Sequence, residues 1–180
     1  MKKKFEVIMA GSGGQGLVVC GIILAEAAIL EGQNAVQTQS YGIASRGGFS
    51  KSEVIISREE IIFQQVQEPD IVLALTEQAM QMYAYGKAGV PVFYDSSLLK
   101  RRNGRDLYGF PFTEMANLLG HVGMANIFAL GAMSNLTGVV KTESLAAVLR
   151  RRFAGELVEM NIKALHTGIN LVEKEGYCHG

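Results

Sequence analysis

The sequence has no tryptophan, three prolines, two cysteines and three histidines among its 180 residues. Each scarcity closes off a chemistry. Cys20 and Cys178 form no C-x-x-C pair, so a disulfide framework, a structural zinc site and the four thiolates of an iron–sulfur cluster are all unsupported. His121, His166 and His179 are scattered, so no metal centre is expected. No histidine accompanies Cys20 in its apolar surroundings, which makes it a packed thiol rather than a nucleophile. Neither a Ser/His/Asp set nor a pair of working carboxylates is visible. An excess of one charge is missing too. With 17 basic and 17 acidic side chains the net charge is zero, and no general field draws the chain to nucleic acid or anionic lipid.

Long apolar runs are also short of what a membrane needs. Residues 17–30 are apolar except for Glu26, about 14 residues against the ~20 that cross a bilayer. The basic start, Lys2 to Lys4, leads into an apolar run that stops at a glycine cluster, too early for a secretory signal. A cytoplasmic protein without a membrane or nucleic-acid partner is expected.

What is present is apolar content: 48% hydrophobic against 19% charged residues. A chain of this length builds one domain, here residues 1–180, and that much apolar surface implies a face for a partner. Residues 5–9 read as a strand buried on both faces, residues 16–31 as the helix behind it, ended by Gly32, and residues 34–40 as a second strand. Residues 50–57 alternate and are β-branched, and Ile61, Ile62 and Phe63 are expected to pair with them as a hairpin.

Further strands are predicted at 70–75 and 90–94, with a short extended piece at 107–110. Thr76 and Glu77 open a helix to Tyr85; Thr113 starts one that Gly120 ends; residues 124–136 form a close-packed apolar helix. Thr142 and Glu143 cap a helix to Phe153. The last helix, 156–175, carries Val158, Ile162, Leu165, Ile169 and Val172 on one stripe, with His166 at the edge of its buried face. Strands alternating with helices predict a three-layer α/β/α, Rossmann-like domain with a mostly parallel sheet and an antiparallel hairpin.

The stretch Met9-Ala10-Gly11-Ser12-Gly13-Gly14-Gln15-Gly16 follows the first strand and precedes a helix. Gly11, Gly13 and Gly16 match the spacing G-x-G-x-x-G, whose glycines serve a tight turn, close approach of a pyrophosphate and helix–strand contact. The dinucleotide pattern also calls for an acid near the end of the second strand, and Gln37-Thr38-Gln39-Ser40 offers none. Three readings stay open: a dinucleotide site, a loop that touches a partner or another anionic group, and a bare turn.

A second loop, Tyr41-Gly42-Ile43-Ala44-Ser45-Arg46-Gly47-Gly48, falls at the same end of the sheet. Glycines beside Arg46 permit close approach while the guanidinium presents a rigid fork to carboxylate or phosphate. An irregular connection with a solvated arginine is the plainer alternative.

Taken in order, "GSGGQG", "QSYGIASRGGFSKSEVIIS" and "GMANIFALGA" resemble the gamma subunit of the 2-oxoacid:ferredoxin oxidoreductases over nearly the whole chain. Members commonly carry Tyr-Gly-Pro-Glu before Arg-Gly-Gly, where this chain has Ile43 and Ala44. The resemblance implies a complex that oxidatively decarboxylates a 2-oxoacid and passes electrons to ferredoxin while forming an acyl-coenzyme A; the cast of the second motif leans to 2-oxoglutarate, with pyruvate, branched-chain oxoacids and indolepyruvate left open. It implies alpha, beta and delta or ferredoxin-like partner subunits holding thiamine diphosphate, magnesium and the iron–sulfur clusters. This chain lacks the Gly-Asp-Gly…Asn thiamine diphosphate pattern and the cluster cysteines, so it is expected to bind no redox centre and to be inactive alone.

The candidate subunit-contact or coenzyme A residues are therefore Gly11, Ser12, Gly13, Gly14, Gln15, Gly16, Tyr41, Gly42, Arg46, Gly47, Gly48 and Asn126, the last as a tie to the first loop or as an ordinary buried amide. Lys100, Arg101, Arg102 and Arg105 are candidates for coenzyme A phosphates or an acidic partner, or form a solvated loop. A free-standing nucleotide-binding oxidoreductase and an anion-binding module remain the rival functions. Apolar surface that partners would cover leaves self-association open to the isolated chain.

Overall fold

The computed structural model describes residues 4–42, 47–84, 89–100 and 102–174. Nine residues of alternating strand, β1 (Lys4–Ser12), lead through glycines into α1 (Leu17–Leu30), then β2 (Asn34–Tyr41) and β3 (Phe49–Ser57). Next come β4 (Ile71–Ala74), α2 (Glu77–Tyr83), β5 (Val92–Asp95), β6 (Leu107–Phe110) and α3 (Phe112–Leu119). A 3-10 turn at Val122–Met124 introduces α4 (Ala125–Thr137), and α5 (Thr142–Arg152) and α6 (Glu156–Lys174) close the fold.

The six strands form one sheet in the order β2-β3-β1-β4-β5-β6. β1/β4, β4/β5 and β5/β6 are parallel, while β3 runs antiparallel to both β1 and β2. The expected hairpin therefore exists, but between β2 and β3. Ile61, Ile62 and Phe63 lie in no strand, with Ile62 and Phe63 exposed. Both edges of β3 are already taken, and Glu6 ties the connection to the sheet end instead. Its carboxylate accepts the Gln67 and Glu68 N–H groups at 3.3 and 3.0 Å, and its own N–H donates to Asp70 Oδ2 at 2.9 Å.

Side-chain alternation along the strands splits the core in two. Val7, Met9, Val54, Ile56, Leu73 and Phe93 point under α1 and α3 to α6. Ile8, Ala10, Val72, Ala74, Val92 and Tyr94 point to the thinner side, closed by α2 and Leu99. On the thicker side α4 and α6 lie nearly backbone to backbone. A Cβ on Gly131 would strike the Leu165 carbonyl, and one on Gly168 the Phe128 carbonyl.

Two helix starts differ from expectation. Lys141, not Thr142, is the N-cap of α5, because the Lys141 amide is held by Glu31 Oε1 at 2.6 Å and the helix begins one residue early. Thr113 is the second residue of α3, and its amide is capped from a distance by buried Asp95 through Oδ2 at 2.9 Å. On α6 the buried face comprises Asn161, Ala164, Leu165, Gly168, Ile169 and Val172. His166 is exposed, on the far side from that face.

Candidate functional site

The first glycine stretch is half strand and half turn. Gly11 and Ser12 complete β1, and the chain turns through Gly13 and Gly14, the latter at φ 94°. Gly16 is the N-cap of α1 in the left-handed region at φ 72°, a conformation glycine adopts without strain. Gln15 folds back over the turn. Its Oε1 accepts the Ser12 N–H at 2.7 Å, and its Nε2 donates to the Leu75 carbonyl at 3.3 Å, just past β4. A Cβ on Gly11 would collide with that folded Gln15 Oε1, so the small residue at 11 is what lets Gln15 brace the loop.

Below the turn sits Asn126, only 5% exposed. Its Nδ2 donates to the Gly16 carbonyl at 3.0 Å, and its own carbonyl faces the Cys20 thiol at 3.5 Å. A Cβ on Gly16 would strike Asn126 Nδ2. Asn126 thus ties α4 to the head of α1, one of the two roles open to it in the sequence. Its Oδ1 is buried with no hydrogen-bond partner among the described residues.

The second loop meets the first directly. The Gly13 N–H donates to the Gly48 carbonyl at 2.9 Å, and a Cβ on Gly13 would lie 3.9 Å from the Gly47 nitrogen and the Gly48 oxygen. Gly47 sits at φ 66°. Gly42 closes the β2–β3 hairpin through its N–H to the Phe49 carbonyl at 2.6 Å, and Tyr41 stands 64% exposed beside it. Eleven of the twelve candidates thus fall around one rim, where β1, β2 and β4 end and β3 begins. Arg46, with Ile43 and Ala44, lies outside the described residues.

On the thinner side of the sheet, below the hairpin, Lys51 Nζ pairs with Glu53 Oε1 at 2.9 Å, and Thr38 Oγ1 donates to Oε2 at 3.4 Å. Tyr83 on α2 lies close enough to feel both charges. Burial pushes its phenol upward, Lys51 opposes this and Glu53 adds to it.

The basic loop is less available than its sequence implied. The Arg102 guanidinium pairs with Glu77 of α2, and the Arg102 backbone N–H donates to the Tyr94 hydroxyl at 2.9 Å. Lys100 and Arg105 are exposed, and Arg101 lies outside the described residues. Arg152, at the C-terminal end of α5, reaches across to Glu26 of α1 with Nε at 2.8 Å.

Topology speaks against a dinucleotide. In that arrangement the second strand adjoins the first and carries the ribose-binding acid. Here α1 carries the chain past the position of β3 to the sheet edge, and β2 is two strands away from β1. Two features escaped the sequence: the Gln15 brace, which depends on Leu75, and the cap that Asp95 supplies to α3. An invisible tertiary neighbour defines each.

Residues 6–171 match the family model described as pyruvate ferredoxin/flavodoxin oxidoreductase. The chain belongs to this family. It is 39% identical over 173 residues to "2-oxoglutarate synthase subunit KorC" of Archaeoglobus fulgidus, covering 95% of this chain and 89% of that one. Among solved structures it is similar to the gamma subunit of a keto/oxoacid ferredoxin oxidoreductase from Geobacter sulfurreducens, with TM-score 0.81, 39% identity and coverage of 94% and 99%. It shares its fold, at TM-score 0.85 and 23% identity, with 32% of a chain of 2-oxoglutarate:ferredoxin oxidoreductase from Magnetococcus marinus, solved with 2-oxoglutarate, coenzyme A and succinyl-CoA. The family resemblance drawn from the three motifs is borne out, and the chain is a gamma-type subunit of a 2-oxoacid:ferredoxin oxidoreductase rather than a free-standing nucleotide enzyme. No helix among the described residues is long and apolar enough to cross a membrane.

Proposed function

We propose that this subunit walls the active site of its complex with the two-loop rim, while partner subunits hold the reactive groups, and that the 2-oxoacid is 2-oxoglutarate. Decarboxylation needs an electron sink, which thiamine diphosphate supplies when bound to the alpha and beta partners. Iron–sulfur clusters, held by the same partners or by a delta subunit, would supply the electron transfer to ferredoxin. The observation that carries the proposal is the direct bond from Gly13 to Gly48, which joins both family motifs into one glycine-lined rim. Gly13 and Gly14 are exposed, and Tyr41, paired with Ser50 at the same end of the sheet, is exposed as well. Such a surface lets a neighbouring chain or coenzyme A approach the main chain closely, and Arg46, from the second motif, is the candidate fork for its phosphates.

The unmet acceptor of Asn126 beneath this rim supports the same reading, because uncompensated buried polar atoms gather at working sites. Similarity to a subunit of 2-oxoglutarate synthase supports the choice of oxoacid.

The test uses the assembled complex. Gly13→Phe leaves the fold intact, since its Cβ meets nothing nearer than 3.9 Å, but puts a ring on the rim. It should weaken subunit assembly or raise the apparent KM for coenzyme A, and Arg46→Ala should raise that KM without unfolding the chain. If both variants assemble and turn over 2-oxoglutarate with unchanged constants, the rim is scaffold only.

A further inference from the structure

The sheet ends on one side in a long strand whose outer side is paired with no described residue. β2 has eight residues, no proline and no Asp, Glu, Lys, Arg or His, and no described segment pairs with its outer side. Natural edge strands are blunted by charge, proline or brevity, because open N–H and C=O groups recruit other strands. This one is not blunted. The Gly42 N–H to Phe49 carbonyl bond sets the ladder phase. With the β2–β3 register it makes Ser40–Lys51, Thr38–Glu53 and Val36–Ile55 the hydrogen-bonded pairs. The amides and carbonyls of Ala35, Gln37, Gln39 and Tyr41 therefore face the open side.

The helix above this edge is apolar all round, as helices are when both faces are covered. Yet one face of α1 has no cover among the described residues. Cys20 turns to Asn126 of α4, and Gly21 rests on Gln37 and Ser52 of the sheet. At 100° per residue, Ile22 points away from α4, and Val18 and Ile29 share its side. Val18 and Ile22 are half-buried and Ile29 is 56% exposed. The charge nearest this stripe, Glu26, is matched by Arg152.

We propose that two copies of this chain associate across a two-fold axis, β2 against β2 in antiparallel pairing, with the Val18, Ile22 and Ile29 stripes packed against each other. A two-fold contact sets a surface against itself, so any unmatched charge would meet its like. This surface carries none. Its size is sufficient as well. Eight residues at about 3.4 Å each give an edge near 27 Å long, and a sheet layer plus a helix layer of about 10 Å each make it about 20 Å deep. That is roughly 540 Å² per copy, or about 1,100 Å² in total, just above the ~1,000 Å² that a specific interface needs.

Sedimentation equilibrium of the full chain tests this. The wild type should give twice the 19.5 kDa chain mass. Gln39→Pro should weaken association at least tenfold with unchanged circular dichroism, because the Gln39 amide bonds nothing within its own sheet and edge strands tolerate proline. Ile29→Lys should do the same by setting an ammonium group against the partner copy's apolar stripe. Hydrogen exchange should show the amides of Ala35, Gln37 and Tyr41 protected in the wild type and exposed in Gln39→Pro. A monomeric wild type, a dimer that survives both substitutions, or protection of these amides only when other subunits are added would each overturn the proposal.

Discussion

Asn126 of α4 donates through Nδ2 to the carbonyl of Gly16, 110 positions earlier, and so fixes the head of α1 against the helix that packs behind it. Replacing Asn126 with Ala removes that bond, leaves the Gly16 carbonyl one partner short and should cost about 1–2 kcal/mol in urea unfolding. Gly16→Ala should cost more, about 1–3 kcal/mol, because it adds left-handed strain to a collision with the Asn126 amide. Equal stability of both variants with wild type would show that the contact is incidental.

Gly131 and Gly168 let α4 and α6 touch through their main chains. Gly168→Val forces its side chain into the Phe128 carbonyl, and overpacking of this kind costs about 1–3 kcal/mol or more. The midpoint of thermal unfolding should fall by several degrees. Gly32→Ala serves as the contrast: its Cβ meets nothing within 4 Å, so only the strain of φ 76° is felt.

Glu6 links stability to pH. Burial alone would raise its carboxyl, but the Lys4 ammonium at 2.6 Å and the N–H groups of Glu68 and Gln67 outweigh this and hold it below its ordinary value. A lowered folded-state value means that the stabilisation is present above the unfolded-state value of about 4.3 and is lost as pH falls through the folded one. Glu6→Gln should therefore be less stable than wild type at neutral pH, and the gap should close in acid. A gap that is constant from pH 7 to pH 3 would contradict the assignment.

Cys20 is fully buried and its thiol is pushed up to about 12 by desolvation. In a Cys178→Ser background, a thiol reagent at pH 8 should label the folded chain only as fast as it opens and the denatured chain at once. Rapid labelling of the native protein would show that the α1–α4 seam is not closed.

The helices were legible because each carries a local signal. α6 shows a stripe of apolar residues at three- and four-residue steps, α3 ends at Gly120, and Thr76 caps α2 through its side-chain oxygen to the Ala79 N–H at 3.2 Å. Strand identity was legible for the same reason, but strand partners were not. Residues 61–63 had the composition of a strand next to β3, and nothing local revealed that β1 and β2 would occupy both of its edges.

Among the candidate site residues, the glycines announced their own turns, while their meeting was a tertiary event. The Gly13 to Gly48 bond spans 35 residues, and the Gln15 brace reaches Leu75 at a distance of 60. Arg102 illustrates the opposite case. A basic run promised free guanidinium groups, and folding committed this one to Glu77.

The sequence by itself determined the periodic elements and the family, since both rest on residue types and spacing along the chain. The tertiary structure alone decided the strand order, the meeting of two glycine loops at one rim and the β2 edge that no described segment pairs with. Those depend on which distant backbone groups compete successfully for the same hydrogen-bonding positions, and that contest is settled only when the chain is packed.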